Sequence, residues 1–219
     1  MDSQTAIGRI GALLRQAYGP RRQVRRRDNP LDWVIRTLLS QNTTSANSER
    51  AYETLRLRFP TFEDMHGAPL RGLISAIRSG GLANQKAVRI KALLEEIWAA
   101  QGHFDLTFLR DLSDEEVRAY LGRFKGIGSK TVACVLLFGM GRSAFPVDTH
   151  VFRVSRRLGL LNGQHTPEAA QAFLEPHVPP GEHYALHLNL VEHGRRVCRA
   201  QRPLCDSCPL ARLCASVRT

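Results

Sequence analysis

Lys130 follows a Gly126-Ile127-Gly128 turn by two residues, and Asp148 comes eighteen residues after it. A glycine turn that opens a helix presents backbone N–H groups to a phosphate. A lysine in the first turn of that helix is a nucleophile if its surroundings disfavour the ammonium form, whose ordinary pKa is about 10.4. A carboxylate opening a further helix handles protons or stabilises a developing cation. Together these are the parts for amine chemistry on a nucleic acid backbone. Each also has a plainer reading: an ordinary helix connection, a solvated lysine, a helix cap. The pairing of Lys130 with Asp148 at this spacing favours the chemical one.

A second cluster stands near the end of the chain. Cys198, Cys205, Cys208 and Cys214 are spaced C-x6-C-x2-C-x5-C within the last 22 residues. Four thiolates in one short loop enclose a metal centre, and zinc and iron–sulfur both fit that spacing. Disulfides are the weaker reading for a cytosolic chain. Cys134 lies among Val132, Val135, Leu136 and Leu137 and reads as a small core residue. His183 and His187 stand four apart, as metal ligands can. With no third ligand beside them they read as surface or half-buried histidines. Trp33 and Trp98 read as core.

The elements that must position these groups are helical. Leu31, Val34, Ile35, Leu38 and Leu39 follow the i, i+3, i+4, i+7, i+8 pattern behind Asn29 as cap and Pro30 as first helical residue. Ile90, Leu93, Leu94, Ile97 and Trp98 mark another face behind Asn84 as cap. Ser113 and Glu116 form a capping box, and Thr166-Pro167 starts a later helix. Tyr184, Leu188 and Val191 line a further helix, stopped by Gly194. No alternating strand pattern or fixed-period repeat is visible, so the expected fold is all-α, with roughly ten helices. An N-terminal helix over residues 3 to 17 precedes a breaker-rich basic connector at 19–30, whose five arginines between Arg21 and Arg27 read as a solvated linker. A second soft spot covers Gly139 to Arg142, ahead of Pro146.

The 219 residues suffice for one large or two small domains. A net charge of +11 and a pI of about 10.2 favour a polyanionic partner, nucleic acid first. Arginine carries most of that charge, and its fork suits phosphate. No segment approaches the ~20 apolar residues of a membrane span. The start, MDSQTAIGRIGALL, lacks the basic and apolar regions of a signal peptide, so a cytoplasmic, nucleoid-associated chain is expected. Nothing supports a dimer, and a monomer is expected.

The glycine hairpin with Lys130, the Val147-Asp148-Thr149-His150 segment and the four-cysteine spacing occur in the order and spacing of the endonuclease III family of DNA repair glycosylases, within the helix-hairpin-helix superfamily. Leu38-Leu39-Ser40-Gln41-Asn42-Thr43 resembles that family's lesion-facing segment. The resemblance runs from the first helix to the last cysteine. It implies an all-α fold with two helical domains flanking a DNA-binding cleft. One would be a six-helix barrel at 22–142, containing the helix-hairpin-helix motif. The other would be discontinuous, 1–21 with 143–219, and would hold a [4Fe–4S] cluster on Cys198, Cys205, Cys208 and Cys214.

The activity so implied is removal of oxidised pyrimidines from duplex DNA and strand nicking by β-elimination; the partner is double-stranded DNA carrying damaged bases or abasic sites. Lys130 would attack C1′ of the extruded nucleotide, and Asp148 would stabilise oxocarbenium character or assist proton transfer. Gln41 and Asn42 are candidates to fill the gap left by the base, and Leu82 to wedge into the stack, with core packing as the plainer reading of Leu82. Amides near Gly126 and Gly128 would hold a phosphate, with Gly128 at positive φ or leaving room for close approach. Arg199 and its neighbours would meet the DNA backbone.

Two departures from the family pattern stand out. The hairpin that usually reads Leu-Pro-Gly-Val-Gly is Phe124-Lys125-Gly126-Ile127-Gly128, so Lys125 adds a charge near DNA where proline would preorganise the turn. The segment that usually reads Ser-Ala-Gln-Ala-Thr is Ser40-Gln41-Asn42-Thr43-Thr44, which puts Asn42 in the glutamine's place. The alternatives are a monofunctional mismatch glycosylase, which Lys130 argues against, and a non-catalytic DNA-binding protein with a structural metal site.

Overall fold

The computed structural model describes residues 2–23 and 28–217. Arg25, Arg26 and Arg27 of the basic connector lie outside them. Among the described residues there are eleven α-helices and no strand. They are α1 (Ser3–Tyr18), α2 (Pro30–Ser40), α3 (Ser45–Arg58), α4 (Phe62–Gly67), α5 (Leu70–Ala76), α6 (Ala83–Gln101), α7 (Asp114–Gly122), α8 (Ser129–Cys134), α9 (Thr149–Leu158), α10 (Pro167–Leu174) and α11 (His183–Arg196). A π-helical turn, Val135–Gly139, continues α8. Among the described residues no helix is long and apolar enough to cross a membrane.

Two compact units form, Arg26–Val135 and Met1–Arg25 with Leu136–Thr219. In the first, α2 packs on α3, α6 and α8. Its five apolar positions, Leu31, Val34, Ile35, Leu38 and Leu39, are all buried; burying each is worth about 1.5–3 kcal/mol. In the second, α1 and α9 pack on α11, burying Ile7, Ile10 and Leu14 of α1 against Leu186 and Leu190.

Local capping chemistry sets most boundaries. The Asn29 side chain accepts from Leu31 N–H, Ser113 and Glu116 close a reciprocal capping box, and Thr166 caps α10. Three expectations fail. The cap of α6 is Leu82, in a left-handed conformation with no side-chain bond, and Asn84 lies inside the helix. Gly194 does not stop α11, which runs on to Arg196. It sits where a Cβ would come within 2.8 Å of His150 Cβ, so glycine is needed for close packing of α9 on α11. Trp98 is 42% exposed and stacks on His66 instead of filling the core.

Candidate active site and cysteine loop

Within the unit Arg26–Val135, the chain leaves α7 and turns at Phe124. Ile127 N–H donates to the Phe124 carbonyl at 3.1 Å, and Gly126 has φ +86°. That is a type II turn, with Lys125 at the position where proline is favoured. Phe124 and Ile127 are buried and anchor the turn, while Lys125, Gly126 and Gly128 are exposed. The positive φ falls on Gly126, not Gly128. Gly128 is extended (φ −90°) and caps α8. A Cβ at either glycine would meet nothing within 4 Å, so this face of the hairpin is open. Lys130 is the second residue of α8 and is half-buried, ahead of four buried residues, Thr131 to Cys134.

Two exposed tips belong to the same unit. The first follows α2: Gln41 is the C-cap, its Oε1 accepting from Arg89 at 2.9 Å, and Asn42 is exposed with φ +51°. The second lies between α5 and α6, where Leu82 has φ +49° and is 47% exposed. Core packing is therefore not what Leu82 does. Beneath both tips lies Lys86, 2% exposed, whose Nζ donates to the carbonyls of Leu39 at 2.7 Å and Gly80 at 2.8 Å. Burial pushes its pKa below the usual lysine range.

In the other unit, Asp148 is the N-cap of α9. Its Oδ1 accepts from His150 N–H at 2.9 Å and Val151 N–H at 2.8 Å. Among the described residues no protein donor reaches Oδ2. The cap reading and the chemical reading are thus compatible: one oxygen holds the helix and the other is uncommitted. Burial pushes His150 below the usual imidazole range, with Asp148 opposing.

The same helix carries the cysteine loop on its outer turns. Arg153 Nε donates to the Cys198 carbonyl at 3.0 Å and its Nη2 to the Gly194 carbonyl at 2.7 Å. Arg157 donates to the carbonyls of Arg199 and Ala200 and to Cys198 Sγ, at 2.6, 3.0 and 3.4 Å. Cys214 Sγ donates back to the Arg157 carbonyl at 3.2 Å. His193, 1% exposed, joins Tyr18 Oη at 2.8 Å to Cys208 Sγ at 3.7 Å. Burial holds this imidazole down at about 4.

All four loop thiols are free and line one cavity of about 250 Å³ with Val154 and Leu158. The Cys208 thiol is pushed up by burial and then by Cys198, Cys214 and Cys205. Among the described residues no three His, Cys, Asp or Glu side chains close on a single ion-sized point. Arg199 is exposed, its Nε donating to the Arg196 carbonyl at 3.2 Å. His183 and His187 are buried, not surface residues: His187 Nδ1 pairs with the Pro146 carbonyl at 2.9 Å and His183 Nε2 with the Glu175 carbonyl at 3.3 Å.

Sequence reasoning missed Lys86, Arg153, Arg157 and His193. For Lys86 a signal existed: it stands one turn before Ile90 on the buried stripe of α6, a cation at a core position. Arg153 and Arg157 are four apart on a short helix with apolar Val151, Val154 and Leu158 between and beside them, but their acceptors lie about forty residues away and leave no local pattern.

Comparison with known proteins agrees with this layout. Residues 35–180 match the HhH-GPD superfamily of base excision DNA repair proteins. A DNA glycosylase candidate of Arabidopsis thaliana is 38% identical over 192 residues, covering 84% of this chain and 66% of that protein, so the chain spans just under two thirds of its length. Endonuclease III of Bacillus subtilis is 34% identical over 188 residues, 85% of this chain and 81% of the relative. Two solved structures, described as a non-covalent endonuclease III–DNA complex and a trapped endonuclease III–DNA covalent intermediate, superpose with a TM-score of 0.82 at 29% identity, over 100% of this chain and 98% of theirs. The chain belongs to the HhH-GPD superfamily of base excision DNA repair proteins, within its endonuclease III family.

Proposed function

We propose that the chain removes oxidised pyrimidines from duplex DNA and then cuts the strand by β-elimination, with Lys130 as nucleophile and Asp148 as its acid–base and electrostatic partner. The observation that carries this reading is Lys130 on the first turn of α8, directly after a hairpin open on both glycines. The uncommitted Oδ2 of Asp148 supports it. A relative caught as a covalent DNA intermediate adds weight.

The target nucleotide leaves the stack, at a cost of a few kcal/mol that is least for a poorly stacked lesion. The gap is filled by Gln41 or Asn42 and by Leu82, while the hairpin holds a phosphate without reading sequence. The neutral Lys130 amine bonds to C1′ as the glycosidic bond breaks and the base leaves. Asp148 stabilises positive charge at C1′ meanwhile. The C1′–O4′ bond then breaks, O4′ taking a proton as the nitrogen loses one, and the ring-opened imine acidifies the C2′ proton, whose removal expels the 3′ phosphate.

The four cysteines are the holders of a [4Fe–4S] cluster. All four line one cavity of about 250 Å³, and the likeness to endonuclease III favours iron–sulfur over zinc, which four cysteines also suit. When bound, the cluster supplies iron–thiolate cross-links to a loop with little regular structure and an electron-transfer centre. Arg153 and Arg157 hold the same loop from α9, and Arg199 meets the DNA backbone beside it.

The test is borohydride trapping on a duplex with one thymine glycol. A covalent adduct with the wild type and none with Lys130→Gln is expected. No adduct with the wild type, despite base release and intact folding, would overturn the lysine mechanism and leave a monofunctional glycosylase.

A further inference from the structure

Among the described residues Lys86 is the one lysine, arginine, aspartate or glutamate that is buried, and it is used by no step above. No carboxylate pairs with it among the described residues. Burying an ammonium without a counter-ion is costly, and an apolar residue of similar length would pack the same space more cheaply. What lysine adds is reach to two segments at once. The Leu39 carbonyl lies at the end of α2, whose terminal carbonyls lack helical partners and favour a cation. The Gly80 carbonyl lies two residues before Leu82. The Lys86 backbone N–H donates to the Leu82 carbonyl at 3.0 Å, so one residue brackets Leu82 from both sides.

Both segments carry a non-glycine residue in the left-handed region, Asn42 (φ +51°) and Leu82 (φ +49°). For Leu82 that conformation costs about 1–2 kcal/mol and persists only where its surroundings over-determine it, whereas asparagine adopts it readily. Space beneath is closed as well: a Cβ on Gly80 would lie 3.1 Å from Ala51 Cβ and 4.0 Å from Lys86 Nζ.

We infer that Lys86 is a positioning residue that fixes the Gln41–Asn42 tip and the Leu82 tip relative to each other, so that both enter the duplex together and hold the extruded state. It acts on base extrusion, through the tips, and not on bond breaking. This rests on the proposed role of the tips in filling the gap.

The experiment uses the full chain and a duplex with thymine glycol beside a fluorescent purine analogue, which brightens on unstacking. Lys86→Met keeps length and loses the donors. It is expected to lose the brightening and to slow single-turnover excision about tenfold, a change of about 1.4 kcal/mol. Because Lys86 acts through Leu82, Lys86→Met placed on Leu82→Ala is expected to add nothing further. Lys86→Gln, which keeps a donor, restores part of the brightening; it also serves in the cycle should Lys86→Met fail to fold. Wild-type brightening in Lys86→Met, or losses that multiply in the double variant, would overturn the Lys86 assignment alone, provided Leu82→Ala is itself impaired. A wild-type Leu82→Ala would overturn the tip reading and the Lys86 assignment with it.

Discussion

The exposed tips of the unit Arg26–Val135 and the cysteine loop of the other unit are fixed by different means. Asn42 and Leu82 stand on left-handed backbone, tied by main-chain bonds and one buried ammonium. The hairpin is likewise a backbone device, a single type II turn closed by Ile127 N–H. Residues 198–214 have only short turns of their own and are tied to α9 by the side chains of Arg153, Arg157 and Cys214, with Leu210 buried in the core. Groups that enter a duplex gain from rigidity set before binding, since ordering them afterwards would cost affinity. The proposed cluster would complete the cysteine loop, so side-chain tethers suffice to bring the cysteines near one another.

The strongest test of that contrast removes chemistry without touching either scaffold. Lys130→Gln is expected to abolish borohydride trapping while leaving the melting temperature within about 2 °C, a surface-type change. Asp148→Asn is expected to slow base release by about a hundredfold or more, the scale of a lost electrostatic stabiliser. Because Asn is as good a cap as Asp, α9 should stay folded, which circular dichroism would check.

Next in size, Arg157→Met removes three hydrogen bonds to the cysteine loop. A loss of about 2–3 kcal/mol is expected if each contributes about 1 kcal/mol. Hydrogen exchange should quicken in 198–214 and leave residues 39–43 and 80–86 unchanged; quickening in both would erase the distinction between the regions. Lys125→Pro sharpens the backbone side. Proline at the second position of the turn is expected to stabilise by about 0.4–1 kcal/mol. The lost charge should lower the slope of DNA affinity against salt by about one ion.

The smallest effect concerns pH. His183 is buried and its pKa is lowered by that burial, against the pull of the Glu175 carbonyl. The unfolded chain therefore takes up this proton at higher pH than the folded one. Its contribution to stability is complete above the ordinary imidazole value of about 6.5 and declines as pH falls below it. Denaturant midpoints between pH 7.5 and 5.5 should fall less steeply in His183→Gln than in the wild type.

What could be read from the sequence was what local rules decide. Caps at Asn29, Ser113 and Thr166 are short-range bonds between a side chain and its own helix, and they stand as expected. The apolar stripe of α2 likewise fixed its buried face. The start of α6 was not legible at Asn84, because its cap is Leu82 on left-handed backbone with no side-chain bond, which leaves no capping residue type to read. Gly194 looked like a helix stop because its reason, His150, is more than forty residues distant in sequence. At the hairpin the glycines are evident; of the two readings of Gly128, positive φ belongs to Gly126 instead, as the hydrogen bond from Ile127 to Phe124 decides, while room for close approach is left open. Lys130 and Asp148 were legible as residue types at a spacing, and the division of Asp148 into a capping oxygen and an uncommitted one was not.

The packing of α1 on α11 has a consequence for synthesis. Tyr18 and His193 are 175 residues apart, so α1 leaves the ribosome long before the helix it packs on. In between, Arg26–Val135 emerges whole and is free to fold as a unit. Ile7, Ile10 and Leu14 must meanwhile wait uncovered, a sticky stripe on the nascent chain. Such high contact order slows the final docking step, and that interval is where a chaperone has most to do.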